Sequence, residues 1–135
     1  MLLNITGASV ARCTVVPKDA LPARVNQHVS LIRVKRDLLN PKFLAYGLVA
    51  KANKDKLLGI GSSGGATRQA LTKRDIEDYE ISHPSNLEEQ TQIVAEIENI
   101  KRSTQELAAI YVAQLEEYIK LKSAILTQAL QPPQQ

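Results

Sequence analysis

Residues 85–131, SNLEEQTQIVAEIENIKRSTQELAAIYVAQLEEYIKLKSAILTQALQ, contain neither proline nor glycine. Pro84 stands just before this stretch and Pro132-Pro133 just after it, so nothing inside it interrupts a helix and both ends carry stops. Ser85 and Glu88 have the spacing of a capping box, and Glu88 and Glu89 favour the positive end of the helix dipole. The spacing therefore predicts one helix over 85–131. At 1.5 Å per residue, roughly 45 residues span about 65 Å, too long to lie on a small core along the whole length.

The apolar pattern tells what such a helix packs against. Ile93, Ile97, Ile100, Thr104, Leu107, Tyr111, Gln114, Tyr118, Leu121 and Ile125 follow alternating spacings of four and three, which is a heptad seam. The eight apolar members, Ile93, Ile97, Ile100, Leu107, Tyr111, Tyr118, Leu121 and Ile125, form the expected dimer or partner interface. Thr104 and Gln114 interrupt it, as polar seam residues that fix register do. Val94, Ala108, Leu115, Ile119 and Leu126 widen the stripe to one side, as contact with more than one neighbour requires.

Residues 1–84 read as a small α+β head. Thr14–Val16 and Val29–Val34 have strand composition and are set apart by Pro17, Pro22 and Asn26-Gln27. Asn40-Pro41 opens a helix running towards Leu57, with asparagine as N-cap and proline at the first helical position. Gly59–Gly65 reads as a flexible loop, Thr72 and Asp75 as a capped turn, and Tyr79–Ser82 as a last short strand. The fold class expected is α+β: a mixed α/β head over 1–84, a long C-terminal coiled-coil helix over 85–131, and a tail over 132–135.

Composition agrees with a modest core. Hydrophobic residues make up 44% of the 135, yet there is one Phe, no Trp and four Tyr to anchor it. The net charge of +3 conceals an asymmetry, since residues 1–84 carry 13 Lys/Arg against 7 Asp/Glu, and residues 85–135 carry 4 against 7. A basic head on an acidic helix points to a polyanionic partner for the head. Arg12, Lys18, Arg24, Arg33, Lys35 and Arg36 crowd the first 36 residues against a single Asp19, and phosphate contact is their natural role. A second group, Ser62, Ser63, Thr67, Arg68, Gln69, Lys73 and Arg74, joins small residues that allow close backbone approach to side chains that bond phosphates or base edges.

Other chemistries fail on context. Gly59–Gly64 matches G-x-G-x-x-G by letters but follows a helix rather than a strand, which removes the dinucleotide reading, and no lysine follows at P-loop spacing. His28 and His83 lack companions at metal-ligand spacing, and Cys13, the one cysteine, reads as a structural thiol. No nucleophile elbow frames the serines. No catalytic residue, metal or cofactor is expected. The absence of a long apolar run or secretory leader points to a cytoplasmic protein that does not engage a membrane.

The order of these segments resembles the specificity subunits of type I restriction-modification systems. Ile81-Ser82-His83-Pro84, then Leu87-Glu88-Glu89-Gln90, Ile93-Val94 and the heptad helix ending at Leu126 and Leu130, are similar to the family's conserved region, where a proline leads into an E-Q-x-x-I-V helix. Leu3–Ser9 with Arg12, and Asn26–Val29 before a strand, resemble the second half of a target-recognition domain. The resemblance implies a non-catalytic subunit whose two recognition domains each read half of a split site on double-stranded DNA. It also implies two conserved helices that pair antiparallel as a spacer. Such a subunit recruits modification subunits, which methylate adenine with S-adenosylmethionine, and restriction subunits, which use ATP to move DNA. Against that pattern the chain carries one repeat in place of two and starts within a recognition domain. Two readings follow. In the first the chain is a DNA-specificity module that homodimerises through its helix. In the second the head no longer reads DNA, and the helix pairs with intact specificity or modification subunits.

Overall fold

The structure, a computed structural model, describes residues 1–62 and 70–130. Two compact units share the chain, Met1–Ala95 and Glu96–Gln135. The first holds a three-stranded antiparallel sheet of order β2-β1-β3, made of β1 (Leu2–Asn4), β2 (Cys13–Thr14) and β3 (Val29–Leu31). Around it lie α1 (Pro41–Val49), α2 (Lys51–Ser62), α3 (Lys73–Glu77) and the start of α4 (Leu87–Ala129), which continues into the second unit. The α+β class expected from the sequence is what is found.

The central strand β1 has no alternating signature, being only Leu-Leu-Asn, and it becomes a strand because both neighbours supply ladder partners. Leu2 faces Thr14 on one side and Leu31 on the other, and Leu3 faces Cys13 and Ser30. Successive side chains of a strand point to opposite faces. Leu3 is 1% exposed and joins Val10, Ala11, Leu44, Leu48, Leu57 and Leu71 in the core, whereas Leu2 belongs to the other face. The outer strands are shorter than expected, since Val15 and Val16 follow β2 without pairing and β3 ends at Leu31. Between β1 and β2 the chain turns through Gly7 at φ +76° and Ala11 at φ +64°. The amide of Ala11 bonds back to the Asn4 carbonyl at 3.0 Å, which holds this left-handed residue in the core.

Helix α1 begins as Asn40-Pro41 predicts. The Asn40 carboxamide accepts from the amides of Lys42 at 2.9 Å and Phe43 at 3.4 Å. The helix then breaks at Ala50, whose ψ of 139° leaves the helical region, and α2 starts one residue later. Asn53 donates to the Gly47 carbonyl at 2.8 Å, so an orphan carbonyl at the end of α1 is satisfied from α2.

Two local expectations are corrected. Gly59–Ser62 is the last turn of α2 rather than loop, because Leu57 is buried and Leu58 and Ile60 pack against the core, and this burial outweighs a cost of about 1 kcal/mol per helical glycine. Gly61 is also closely packed, since a Cβ there would stand 3.3 Å from the Ala70 carbonyl oxygen and would push that backbone back by a few tenths of an ångström. Residues 79–82 form no strand. The Tyr79 hydroxyl bonds Asn53 at 3.0 Å and Ile81 comes so close to Gly47 that a Cβ would lie 2.9 Å from its Cδ1, so this segment is spent on α1 and α2 and meets no ladder. The Thr72–Asp75 capping box is present, and bonds from the Thr72 amide and hydroxyl hold the Asp75 carboxyl below the usual carboxylate range.

At the start of α4 the N-cap is Asn86 and not Ser85. Its side chain accepts from the Glu88 amide at 2.8 Å. One turn on, Gln90 is fully buried and every contact of its amide is with backbone. It donates to the carbonyls of Pro84 at 2.7 Å and Leu38 at 3.1 Å, and accepts from the Asn40 amide at 2.8 Å. Val94, the next residue on that face, is also buried. From Asn99 to Leu130 every residue is exposed.

Two measurements test this packing. Gln90→Leu strands three backbone groups and is expected to lower the free energy of unfolding by about 3 kcal/mol in urea, while Gln92→Ala on the exposed face shifts it by less than about 0.5 kcal/mol. Cys13 provides the second. Burial raises its thiol pKa from 9.0 to about 11. The folded chain should therefore react with a thiol reagent more slowly at pH 8 than the urea-unfolded chain does. Because the folded state holds the proton more tightly, stability falls as pH rises from 9 towards 11. Equal reactivity in the two states would contradict the burial of Cys13.

Candidate nucleic-acid interface

Six of the cations singled out in the sequence, Arg12, Lys18, Arg24, Arg33, Lys35 and Arg36, are exposed. None of them forms an ion pair with another described residue. Positive charge left unpaired in this way remains available to a polyanion, because no internal partner has to be displaced. Lys73 and Arg74 differ. On α3 they pair with Glu77 at 3.4 Å and Asp78 at 3.3 Å, and both pairs are largely exposed, so they can be exchanged for phosphate at little cost. Ser62 ends α2, while Ser63, Thr67, Arg68 and Gln69 lie outside the described residues.

The fold gathers three of the six and leaves the others apart. Arg24, Arg33 and Arg36 line one groove of about 600 Å³ on the first unit. Its floor is the sheet face opposite the core, with Leu2 and Leu31, and its walls include Val15, Val16, Leu21 and Val25. No acidic residue lines it. Arg12, Lys18 and Lys35 are not part of that groove. The apolar side chains of this place were absent from the residues expected to bind. Their only signal in the sequence is that Leu21 and Val25 flank Pro22 inside an otherwise polar stretch.

The histidines are engaged in the fold. His28 Nδ1 lies 2.6 Å from the Thr6 hydroxyl, and His83 Nδ1 lies 2.9 Å from the Pro84 carbonyl, which can only accept and so places the proton on that nitrogen. Among the described residues no three His, Cys, Asp or Glu side chains come together as metal ligands would. No helix among them is long and apolar enough to cross a membrane.

Of the eight seam residues on α4, Ile93 and Ile97 are half-buried, and Ile100, Leu107, Tyr111, Tyr118, Leu121 and Ile125 are between 50% and 67% exposed. Ile110, Val112, Leu115, Ile119 and Leu126 are exposed as well. The second unit therefore presents a wide apolar stripe to solvent.

Residues 3–117 match the family model of the type I restriction modification DNA specificity domain. No curated protein and no solved structure gives a significant match.

Proposed function

The chain belongs to the DNA specificity domain family of type I restriction-modification systems, and from that membership we propose that residues 1–84 meet double-stranded DNA while the helix from 85 to 131 assembles the module. Domains of this family recognise DNA and perform no catalysis themselves. On this reading methylation and cleavage belong to modification and restriction subunits that the module brings to a site.

The observation that carries the DNA contact is the set of exposed, unpaired cations in the first 36 residues, Arg12, Lys18 and Lys35 among them. Phosphate contacts by such side chains position a protein on the duplex, and base-edge contacts then specify the sequence. Ser62, Ser63, Thr67, Arg68 and Gln69 are the candidates for the second task, with Lys73 and Arg74 adding to the first.

Assembly rests on the stripe of α4. Full burial of an Ile or Leu side chain is worth roughly 1.5 to 3 kcal/mol before entropy is charged, so six seam residues left at least half exposed are a strong drive to association. The occupant proposed for the seam is a second copy, running antiparallel.

Two experiments test these readings. Binding to duplex DNA should weaken with salt by a log-log slope of about −0.9 per phosphate neutralised, and replacing Arg12, Lys18 and Lys35 together by Ala should flatten that slope by about 2 to 3. Absence of binding at low salt to duplexes of several sequences would instead favour a module that only pairs with intact specificity or modification subunits. In sedimentation at micromolar concentration the chain should be a dimer, and Ile97→Asp with Leu107→Asp should make it a monomer. A monomeric wild-type chain would remove the self-assembly reading.

A further inference from the structure

The groove that holds Arg24, Arg33 and Arg36 differs chemically from a phosphate site. Leu21, Val25 and Leu31, which are 58%, 45% and 43% exposed, all line it. Phosphate contact needs no such apolar surface, whereas a polypeptide has side chains to place on it.

The backbone of β3 adds a second, independent feature. Opposite Met1 the Ile32 amide bonds the Met1 carbonyl at 3.0 Å, and opposite Ile5 the His28 carbonyl accepts at 2.9 Å. Residues 28, 30 and 32 therefore aim their amides and carbonyls at β1, and the alternation of an antiparallel ladder aims those of Leu31 and Arg33 the other way. β3 is an outer strand of the sheet, and neither Leu31 nor Arg33 has a backbone hydrogen bond on that side among the described residues. A strand edge with two unpaired residues in the same register is a template for another strand.

We infer that this groove seats an extended segment of a partner polypeptide, which adds as a strand beside Leu31 and Arg33 and turns both apolar and acidic side chains toward the groove, at every second position. The apolar ones lie on Leu2, Leu21, Val25 and Leu31, and the acidic ones meet Arg24, Arg33 and Arg36. Charge decides between this occupant and a second copy of β3. Edge-to-edge pairing of two copies would bring two sets of these arginines together with no carboxylate lining either groove. The inference does not depend on DNA contact by Arg12, Lys18 and Lys35.

The test uses the whole chain as bait for a displayed library of random short peptides. Wild-type chain should enrich extended sequences whose every second position is drawn from Val, Ile, Leu, Asp and Glu, with both classes present. The Arg24→Glu, Arg33→Glu, Arg36→Glu variant should bind the selected peptide at least roughly tenfold more weakly. A synthetic copy of that peptide with proline at its centre should lose binding to a similar degree, because proline cannot donate to the ladder. The selected peptide should also slow hydrogen exchange at the Leu31 and Arg33 amides of the unmodified chain, a readout that survives if the charge-reversed variant fails to fold. Failure to enrich, enrichment without acidic residues, or indifference to proline would overturn the proposal. Protection of the same amides by duplex DNA would assign the groove to nucleic acid, and protection that grows with the chain's own concentration would assign it to a second copy; either result overturns it.

Discussion

A primary amide taken wholly out of water must find partners for its two N–H groups and its carbonyl, or it costs more than the packing around it returns. Gln90 meets that demand with backbone alone. It ties the Leu38 carbonyl and Asn40 amide, which lead into α1, to the Pro84 carbonyl, which leads into α4. Backbone groups 6, 50 and 52 residues away from Gln90 are thus held by its one side chain, and the positions of α1 and of the first turns of α4 follow from it. Asn40 is drawn in twice, since its side chain caps α1 and also donates to the Thr91 hydroxyl at 3.3 Å. The Glu89-Gln90 and Ile93-Val94 pairs that resemble the family's helix therefore have a structural reason. Gln90 fastens the helix and Val94 buries the next turn.

Once α4 is fastened, the head spends one sheet face on its core, and among the described residues the other is left as the floor of an open groove. Leu3 goes inward with Leu44, Leu48 and Leu57, while Leu2 and Leu31 remain in a groove beside three arginines. A short antiparallel sheet usually offers water a polar second face. Here that face is apolar and cationic together, whereas Arg12, Lys18 and Lys35 are exposed outside the groove. The basic character of residues 1–84 thus has two physical settings, one proposed for phosphate and one for a polypeptide.

The second unit follows a different rule. From Asn99 onward no side chain of α4 is buried, and so tertiary packing within the chain does not account for its apolar stripe. Helices in proteins draw most of their stability from packing an apolar face. The exposed ion pair of Arg102 and Glu106, 4.0 Å apart, adds little.

What the residues determined by themselves is local and periodic. The absence of proline and glycine over 85–131 and the four-three spacing of its apolar residues specify α4. The Asn40-Pro41 and Thr72–Asp75 pairs specify where α1 and α3 begin, because each cap bonds amides within three residues of itself. The charge of the head was likewise legible, as was the family. Tertiary structure decided whatever needs a distant partner. β1 is a strand only because Cys13-Thr14 and Val29–Leu31 flank it, and Gly59–Ser62 stay helical only because Leu57, Leu58 and Ile60 are buried. Residues 79–82 lose their strand to Asn53 and Gly47, and Asn86 takes the cap from Ser85 as Gln90 is drawn in beneath the Pro84 carbonyl. The meeting of Arg24, Arg33 and Arg36 in one groove belongs to the same class. A spacing along the chain reports which neighbours a residue has within a turn or a strand, and it cannot report which remote surface will take its hydrogen bonds or cover its apolar face.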